Sequence, residues 1–353
     1  MTYRVIQWST GNVGRYALRG IIGHPGLELV GLWVHSPAKA GRDAGELCGL
    51  EPVGVLATTD ADALLAMEAD VVCYTATADV RLPDALADLV KILESGHNVV
   101  SSSLVPIVYP RADLPWLVEP LRAACEKGGV SCFFNGVDPG FANDVLPLVL
   151  TGVCERVDRV RVREILNYAT YDQPEVLFET MGFAKPLDHT PILLSPGVLG
   201  LAWGGTLHAI AAGLGVEIDE ITEWYEKVPA PETFVVPSGK VEAGTMAGLR
   251  FEVRAIVGGE PRIIVEHITR LRSDIAPGWP PMPGKGGYVV EITGSPDIRC
   301  TLEMEGDGGD ENSGGLIVTA MRLLNAIPAV VQAEPGLLSA LDLPLVTGRG
   351  LMG

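Results

Sequence analysis

The chain has 353 residues, of which 47% are hydrophobic and 20% are charged. At roughly 150 residues per domain, this length predicts about two domains, and the composition excludes a disordered chain or a coiled coil. The 26 basic and 44 acidic residues give a net charge of −18, so a nucleic acid or an anionic membrane surface is an unfavourable partner.

The first 135 residues alternate between short apolar segments and segments with helical periodicity. Apolar strands are predicted at residues 3–8, 27–34, 53–58, 70–75, 98–101 and 130–134. Helices are predicted at residues 12–22, 83–94 and 115–127. Strands that alternate with helices need crossover connections, so this region predicts an α/β Rossmann domain with a parallel sheet covered on both faces.

After about residue 155 the pattern changes to long strands of alternating polarity. Strands are predicted at residues 157–168, 249–257, 262–271, 288–292 and 300–304, and helices at residues 141–153 and 316–326. Gly258 and Gly259 turn one strand back on the next, and the alternation leaves one face apolar and the other wet. This region predicts an α+β domain with a mixed, largely antiparallel sheet.

The segment at residues 190–216 contains no Asp, Glu, Lys or Arg. It also holds Pro191, Pro196, His208 and several glycines, and no basic flank adjoins it. We therefore expect a buried or subunit-interface helix and not a transmembrane one.

The strongest motif follows the first strand, where Ser9-Thr10-Gly11-Asn12-Val13-Gly14 opens a helix. Gly11 lets the backbone approach a pyrophosphate, Gly14 allows close packing of helix on strand, and the helix N-terminus offers free N–H groups. The first glycine of the usual G-x-G-x-x-G pattern is Ser9 here. The turn predicts dinucleotide binding, and the alternative is an ordinary tight turn.

The residues after the second strand indicate which dinucleotide binds. An NAD site usually has a carboxylate there for the ribose hydroxyls. This chain instead has His35, Ser36, Lys39 and Arg42, which favours the 2′-phosphate of NADP. The alternative is a solvated basic loop, in which case NAD also binds.

Small polar residues follow other strands at the same predicted sheet edge, where ligands of open α/β sheets bind. The predicted cofactor contacts there are Thr75, Ala76, Thr77, Ser101, Ser102, Asn135, Pro139 and Gly140. Ordinary loop chemistry is the alternative explanation for the hydroxyl residues.

The chain lacks the Tyr-x-x-x-Lys, Walker and Gly-x-Ser-x-Gly motifs, so we expect the chemistry to come from a cleft between the domains. Asp138 either caps the following helix or faces the nicotinamide and substrate. Glu164 and Tyr168, four residues apart, share one face of a strand, where Glu accepts and Tyr donates a proton. The alternative for both is a surface strand with ordinary polar residues.

An apolar stretch suits a small hydrophobic substrate, although such residues are more often core. The predicted substrate contacts are Leu104, Val105, Asn167, Phe178, Met181, His189 and Trp203. His189 and His267 are lone histidines, which are more often structural than catalytic. No metal site is expected, because no Cys/His cluster has zinc spacing.

Five segments together resemble one family. They are residues 10–14, 40–49, 137–141 (Val-Asp-Pro-Gly-Phe), 168–174 and 325–328 (Asn-Ala-Ile-Pro). They are similar to the group that carries a dihydrodipicolinate-reductase-type N-terminal domain and includes 2,4-diaminopentanoate dehydrogenase and the native amine dehydrogenases. The resemblance covers essentially the whole chain, and it adds Asn325 to the predicted cofactor contacts.

The resemblance implies a homodimer in which residues 1–140 and 316–353 form the dinucleotide-binding domain. Residues 141–315 then form the substrate-binding and dimerisation domain. It also implies NAD(P)H-dependent reductive amination of a small hydrophobic ketone with ammonia, or the reverse oxidation of an amine. The His-His…Lys segment of true dihydrodipicolinate reductases is absent, so that activity is not expected.

The chain departs from the family at one functional position. Family amine dehydrogenases place a glutamate just after the fifth strand, but residues 103–110 here (Ser-Leu-Val-Pro-Ile-Val-Tyr-Pro) contain no carboxylate. Either Glu164 or Asp138 substitutes, or the amination chemistry differs. An NADPH-dependent ketone or imine reductase and a non-catalytic NADP-binding sensor therefore remain alternatives.

The six cysteines are scattered and form no C-x-x-C pair, which is typical of thiols in a reducing cytoplasm. The N-terminus enters a strand pattern at once, so a signal peptide is not expected. These features predict a cytoplasmic protein.

Overall fold

The computed structural model describes residues 2–78, 81–111 and 113–352. The chain divides into two compact units. The first unit contains Met1–Phe141 and Leu316–Gly353, and the second contains Ala142–Gly315.

The elements are numbered in chain order. The strands are β1 (Tyr3–Trp8), β2 (Leu27–Trp33), β3 (Ala57–Thr58), β4 (Val71–Tyr74), β5 (Asn98–Ser101), β6 (Ser131–Phe134), β7 (Arg156–Asn167), β8 (Glu220–Pro229), β9 (Phe234–Val236), β10 (Gly239–Val241), β11 (Met246–Val257), β12 (Glu260–Arg270), β13 (Gly287–Ser295), β14 (Ile298–Glu303) and β15 (Gly336–Leu338). The α-helices are α1 (Asn12–Gly23), α2 (Ala44–Leu47), α3 (Ala61–Leu65), α4 (Leu82–Glu94), α5 (Pro115–Gly128), α6 (Val145–Thr151), α7 (Val198–Leu214) and α8 (Glu311–Gln332).

The first unit is built on a seven-stranded sheet in the order β15-β6-β5-β4-β1-β2-β3, and every neighbouring pair is parallel. Strands such as β4 are apolar and buried at every position, because helices cover both faces of a parallel sheet. The strand order reverses between β1 and β4. The predicted Rossmann fold is confirmed, and ligands of such sheets bind at the carboxyl ends of the strands where the order reverses.

Helix α8 is the one helix in the described part of the chain that is long and apolar enough to cross a membrane. Six of its side chains belong to the core of the first unit: Ala320, Leu323, Leu324, Ala326, Ile327 and Val330. Its Arg322 donates a hydrogen bond from Nε to Asn135 Oδ1 (2.9 Å). Burial of one face, together with a charged residue hydrogen-bonded to a loop of the same unit, is typical of a core helix of a globular unit.

The second unit contains a six-stranded sheet in the order β14-β13-β7-β12-β11-β8. Strands β7 and β12 are parallel, and the other neighbouring pairs are antiparallel, as the predicted mixed sheet requires. On β11 the alternation buries Leu249, Phe251 and Val253 in the core cluster of this unit. The uncharged segment at residues 190–216 forms α7, whose Leu207 and Ile210 belong to the same cluster.

Two predicted elements differ from the structure. Only Ala57–Thr58 of the predicted strand at 53–58 joins the sheet. Leu56 instead forms an isolated bridge with Asp43, whose Oδ1 and Oδ2 accept hydrogen bonds from the backbone N–H groups of Val53 (2.9 Å) and Gly54 (2.7 Å). The helix predicted at 141–153 begins at Val145 and is capped by Asp144. Asp138 therefore does not cap a helix, and that reading of its carboxylate is wrong.

Candidate functional site

The glycine turn after β1 is held by a buried glutamine. Gln7 Nε2 donates to the carbonyl of Ser9 (2.9 Å) and to Thr75 Oγ1 (2.8 Å), and Thr75 Oγ1 donates to the carbonyl of Trp8 (3.0 Å). Ser9 has a φ of 82°, the left-handed conformation that glycine adopts without strain. A Cβ on Gly14 would lie 2.5 Å from the Ser9 carbonyl oxygen, so only glycine lets α1 pack this closely.

Within the described residues, no side chain caps the N-terminus of α1. Gly11 is the N-cap residue, and no acidic residue lies in the first turn of the helix. A Cβ on Gly11 would meet no atom closer than 4.0 Å, so the space beside the turn is open. The first intrahelical bond runs from Arg15 N–H to the Gly11 carbonyl, which leaves the N–H groups of Asn12 and Val13 for a ligand. These residues fit the pyrophosphate of a dinucleotide.

Among the basic residues after β2, Lys39 contacts the glycine turn. Its Nζ donates to Thr10 Oγ1 (2.9 Å) and to the Thr10 carbonyl (3.3 Å). His35 and Arg42 are exposed, and Ser36 is half-buried. An ammonium therefore lies beside the turn, where a negative charge on a bound nucleotide is stabilised.

A small cavity of about 40 Å³ lies at the carboxyl edge of the first unit's sheet. Its wall includes seven of the predicted site residues: Ser101, Ser102, Leu104, Val105, Asn135, Asp138 and Pro139. The carboxyl-bearing Asp138 thus shares a wall with the stretch after β5 in which the family's glutamate is missing. The chain turns here at Gly140, whose φ is 135°. A larger residue does not fit at this position, because its Cβ would lie 2.3 Å from the Gly136 nitrogen.

Three predicted cofactor contacts are placed differently. The Thr75 hydroxyl is already used to hold the turn, as described above. Ala76 is buried, and its carbonyl accepts a hydrogen bond from Ser103 Oγ. Asn325, on α8, lines a separate cavity with Tyr3 at the beginning of β1. Because the beginnings of parallel strands lie at the edge opposite their carboxyl ends, the structure does not bring Asn325 to the glycine turn.

In the second unit, Glu164 is the centre of a buried polar cluster. Glu164 Oε1 accepts hydrogen bonds from Tyr168 Oη (3.0 Å) and faces His267 Nδ1 (3.2 Å), and Oε2 accepts from Tyr288 Oη (2.7 Å). Strand β7, which carries Glu164, lies between β12 with His267 and β13 with Tyr288. Tyr168 is in a 3₁₀ turn that begins directly after β7. The structure therefore joins the predicted pair Glu164 and Tyr168.

The cluster keeps its carboxylate charged. Burial alone would raise the pKa of Glu164, but the charge of His267 and hydrogen bonds from His267, Tyr288 and Tyr168 outweigh burial. The net result is a pKa below the ordinary value of a glutamate. Glu164 is thus ionised at neutral pH and paired with His267, and the hydroxyls of Tyr168 and Tyr288 are hydrogen-bonded to its carboxylate.

Aromatic rings cover the imidazole of this cluster. The ring of His267 stacks on Phe251, with centroids 4.7 Å apart and planes at 7°, and Trp203 lies 4.6 Å from His267. Of the predicted substrate contacts, Trp203 is therefore next to the polar cluster. The sequence favours a structural role for His267 and gives no signal that singles out Tyr288. Only the strand register, which joins segments more than 100 residues apart, brings them to Glu164.

The other predicted substrate contacts of the second unit have different surroundings. Met181 is buried in the core cluster, and Phe178 packs against it and close to Gly239. Asn167 Oδ1 accepts from the backbone N–H of Ala169 (3.0 Å), which makes it the cap of a turn. His189 is exposed, and its carbonyl accepts from Lys227 Nζ (2.9 Å).

Comparisons with known proteins agree on one family. Residues 141–353 match the family model for the 2,4-diaminopentanoate dehydrogenase C-terminal domain. An amine dehydrogenase of Streptomyces virginiae is 44% identical over 352 residues, which are 99% of this chain and 98% of that protein. A 2,4-diaminopentanoate dehydrogenase of Acetoanaerobium sticklandii is 28% identical over 267 residues, which are 74% of this chain and 70% of that protein.

The fold is also found in a solved structure. The amine dehydrogenase from Mycobacterium smegmatis matches with a TM-score of 0.78 at 22% identity, and the match covers 98% of this chain and 97% of that one. This likeness shows that both chains share the two-unit architecture of a parallel sheet followed by a mixed sheet.

Proposed function

The chain belongs to the 2,4-diaminopentanoate dehydrogenase family, and on that premise we propose that it is an NAD(P)-dependent amine dehydrogenase for a small hydrophobic ketone and its amine. It is an oxidoreductase that acts on CH–NH₂ groups, as its relatives are. In the aminating direction a ketone and ammonium condense to an iminium ion with loss of water. Addition of hydride to the iminium carbon then gives the amine, which takes up a proton.

The observation that carries the proposal is the buried carboxyl group of Glu164, surrounded by the hydroxyls of Tyr168 and Tyr288 and the imidazole of His267. An iminium ion carries the positive charge that hydride addition requires, and a fixed anion in a water-poor site stabilises that charge. A ketone reductase needs a proton donor at a developing alkoxide instead, and a nearby carboxylate with a lowered pKa opposes an alkoxide. The carboxylate of Glu164 therefore favours C=N over C=O as the reacting group.

The residues of this chain supply binding, orientation and proton handling. The free N–H groups at the beginning of α1 would hold the pyrophosphate, for which Gly11 leaves room, and Gly14 lets α1 pack closely on the turn. When bound, the nicotinamide supplies or accepts the hydride. We assign to Glu164 the stabilisation of the cationic substrate and to Tyr168 the proton exchange with its nitrogen, since Tyr168 Oη has lone pairs left when it donates to Glu164.

We propose Asp138 as the carboxylate that takes the place of the missing family glutamate. It lies in the same cavity wall as Leu104 and Val105, which occupy the stretch where the resemblance expects that glutamate. A carboxylate there takes a proton from ammonium as the nitrogen attacks the ketone, and it returns a proton to the oxygen that leaves as water.

We propose NADP as the preferred cofactor, with NAD as a second one. The basis is Lys39, whose Nζ lies 2.9 Å from Thr10 Oγ1 beside the turn, and the absence of an acidic residue at positions 35–42. An acidic residue there would repel a 2′-phosphate.

We propose that residues 1–140 and 316–353 bind the dinucleotide, and that residues 141–315 bind the substrate and form a homodimer. One face of the second unit's sheet covers its apolar core, and the other face carries Arg161, Arg163, Arg250 and Glu266. Glu266 pairs with all three arginines and is fully buried. Because these charges are paired within the chain, this face is compatible with a second copy of the protein packed against it. We also propose a cytoplasmic location.

The decisive experiment incubates the purified protein with NADPH and a panel of small aliphatic ketones, with and without ammonium. NADPH consumption that requires ammonium, with the amine identified as product, supports the proposal. Consumption that is independent of ammonium instead supports a ketone reductase. Tight NADPH binding without turnover of any ketone supports a sensor.

A further inference from the structure

A second, larger cavity lies in the first unit, away from the glycine turn. Its volume is about 370 Å³, which is within the range of small-molecule sites. Its wall combines the beginning of β1, the turn before β2, one side of α8 and the C-terminal segment. The residues that matter most are Tyr3, His24, Leu324, Asn325, Pro328 and Arg349. Because the beginnings of β1 and β2 are at the edge opposite the nucleotide edge, this cavity is separate from the dinucleotide site.

Hydrogen-bond donors are preorganised on one side of the cavity. His24 Nδ1 accepts from the backbone N–H of Gly26 (3.0 Å), and burial lowers the pKa of His24. The ring is therefore neutral, and its hydrogen is on Nε2. The hydroxyl of Tyr3 accepts from Gln332 Nε2 (2.7 Å), so its own hydrogen remains available to donate.

Among the residues that the structure describes, the wall carries one full charge, and it is positive. Arg349 is exposed, and no hydrogen bond or ion pair of its guanidinium is found within residues 2–78, 81–111 and 113–352. The wall contains no Asp or Glu, although the protein has 44 acidic residues. A guanidinium next to neutral N–H and O–H donors is the environment that a carboxylate prefers.

The opposite wall offers acceptors and apolar surface. Asn325 Oδ1 is buried and has no hydrogen-bond partner in the described part of the chain. Pro328 has no N–H to donate to the carbonyl of Leu324, which also lines the cavity. A buried acceptor without a donor is costly, so this wall is suited to a ligand that brings a hydrogen. The rings of Tyr3 and Pro328 and the Leu324 side chain supply apolar contact.

We propose that this cavity is a second ligand site that takes a small organic acid with an apolar body and a hydroxyl or amino group. The carboxylate binds Arg349, with Tyr3 and His24 as further donors, and the hydroxyl or amino hydrogen binds Asn325. The proposal gives a role to the Asn-Ala-Ile-Pro segment at residues 325–328, which the dinucleotide site does not use.

Three probes separate the features of the site: phenyllactate, 3-phenylpropanoate without the hydroxyl, and phenyllactate methyl ester without the charge. Calorimetric titration of the full chain saturated with NADPH keeps the dinucleotide site filled. Phenyllactate is expected to bind one site per chain, at least fivefold more tightly than phenylpropanoate and tenfold more tightly than the ester.

Variants then locate the binding. Arg349→Gln, on an exposed side chain, is expected to weaken phenyllactate at least tenfold, and Asn325→Ala is expected to abolish the preference for the hydroxyl. Arg122→Gln, which removes an exposed arginine of α5 that pairs with Glu119, is the matched control and is expected to bind normally. Unchanged binding in Arg349→Gln, or no saturable heat with any probe, would overturn the proposal.

Discussion

Replacing Glu164 by Gln tests the buried cluster most directly. The amide retains one oxygen acceptor but presents an NH₂ group where the second carboxylate oxygen was. If the oxygen stays toward Tyr168 and His267, the hydroxyl of Tyr288 loses its acceptor 2.7 Å away. The amide also lacks the negative charge that stabilises the iminium ion, and an interaction with a charged group is worth about 1.5–3 kcal/mol. At about 1.4 kcal/mol per tenfold, kcat/KM for reductive amination is expected to fall about 10- to 150-fold.

The assay is steady-state NADPH oxidation with ketone and ammonium, together with the dissociation constant of NADPH. NADPH affinity is expected to stay within twofold of the parent, since Glu164 belongs to the second unit. The control is Glu266→Gln, another buried glutamate of the same sheet, paired with Arg161, Arg163 and Arg250. This control is expected to lower the melting temperature but keep turnover per folded molecule. If Glu164→Gln retains full kcat/KM, or if both variants lose it equally, the reasoning is refuted.

The pH dependence follows from the same cluster. The folded pKa of Glu164 is below its ordinary value, so its contribution to stability is present above the unfolded pKa, about 4.3. That contribution is lost as the pH falls through the folded pKa. Glu164 therefore stays ionised between pH 5 and 8, and the expected pH profile of kcat/KM has no acid limb from it. An acid limb near pH 6 that disappears in Glu164→Gln would contradict the ionised state.

Three further predictions concern the rest of the chain. Ser9→Gly relieves the strain of a left-handed serine, which destabilises the folded state by about 1–2 kcal/mol. Glycine also gives the unfolded chain more conformational freedom, which lowers stability by about 0.4–1 kcal/mol. The melting temperature of Ser9→Gly should therefore stay the same or rise. The control Ser36→Gly, at a position with an ordinary φ of −79°, should lower it. A clearly lower melting temperature in Ser9→Gly would contradict the inference that Ser9 is strained. Lys39→Met should raise the KM for NADPH about tenfold and that for NADH less than twofold, and an equal rise for both cofactors removes Lys39 from 2′-phosphate recognition. Ellman's reagent should react with no more than three of the six thiols before denaturant is added. Reaction of the other three thiols in the folded protein would argue against their burial. The protected thiols, whose pKa values burial raises, are Cys73, Cys125 and Cys132.

The dinucleotide turn was readable from the sequence because its causes are local. A strand, a turn of small residues and a helix are adjacent in the chain, and Gly11 and Gly14 have spacing that only this geometry requires. The substitution of Ser9 for the first glycine was visible, but its φ of 82° was not. The hydrogen bonds of Gln7 that stabilise this conformation reach Thr75, which is 68 residues away.

The cluster in the second unit shows where local reasoning ends. The period of a strand predicts that Glu164 and Tyr168, four residues apart, lie together, and they do, although Tyr168 lies in the turn directly after β7. Tyr288 and His267 reach Glu164 through strand pairs that join segments 124 and 103 residues apart. A shift of one residue in either register would turn those side chains to the opposite face of the sheet. Because register depends on the packing of the whole sheet, periodicity alone could not identify them.

The missing family glutamate illustrates a third situation, in which the sequence shows a loss and the fold suggests its compensation. Residues 103–110 follow β5, and Asp138 follows β6, so the two positions are about 30 residues apart in the chain. Strands β5 and β6 are parallel neighbours, and their carboxyl ends therefore open into the same wall. A carboxylate after either strand reaches the same cavity. On the proposal above, a change of strand alters the motif in the sequence, but it leaves a carboxyl group at the same edge of the sheet.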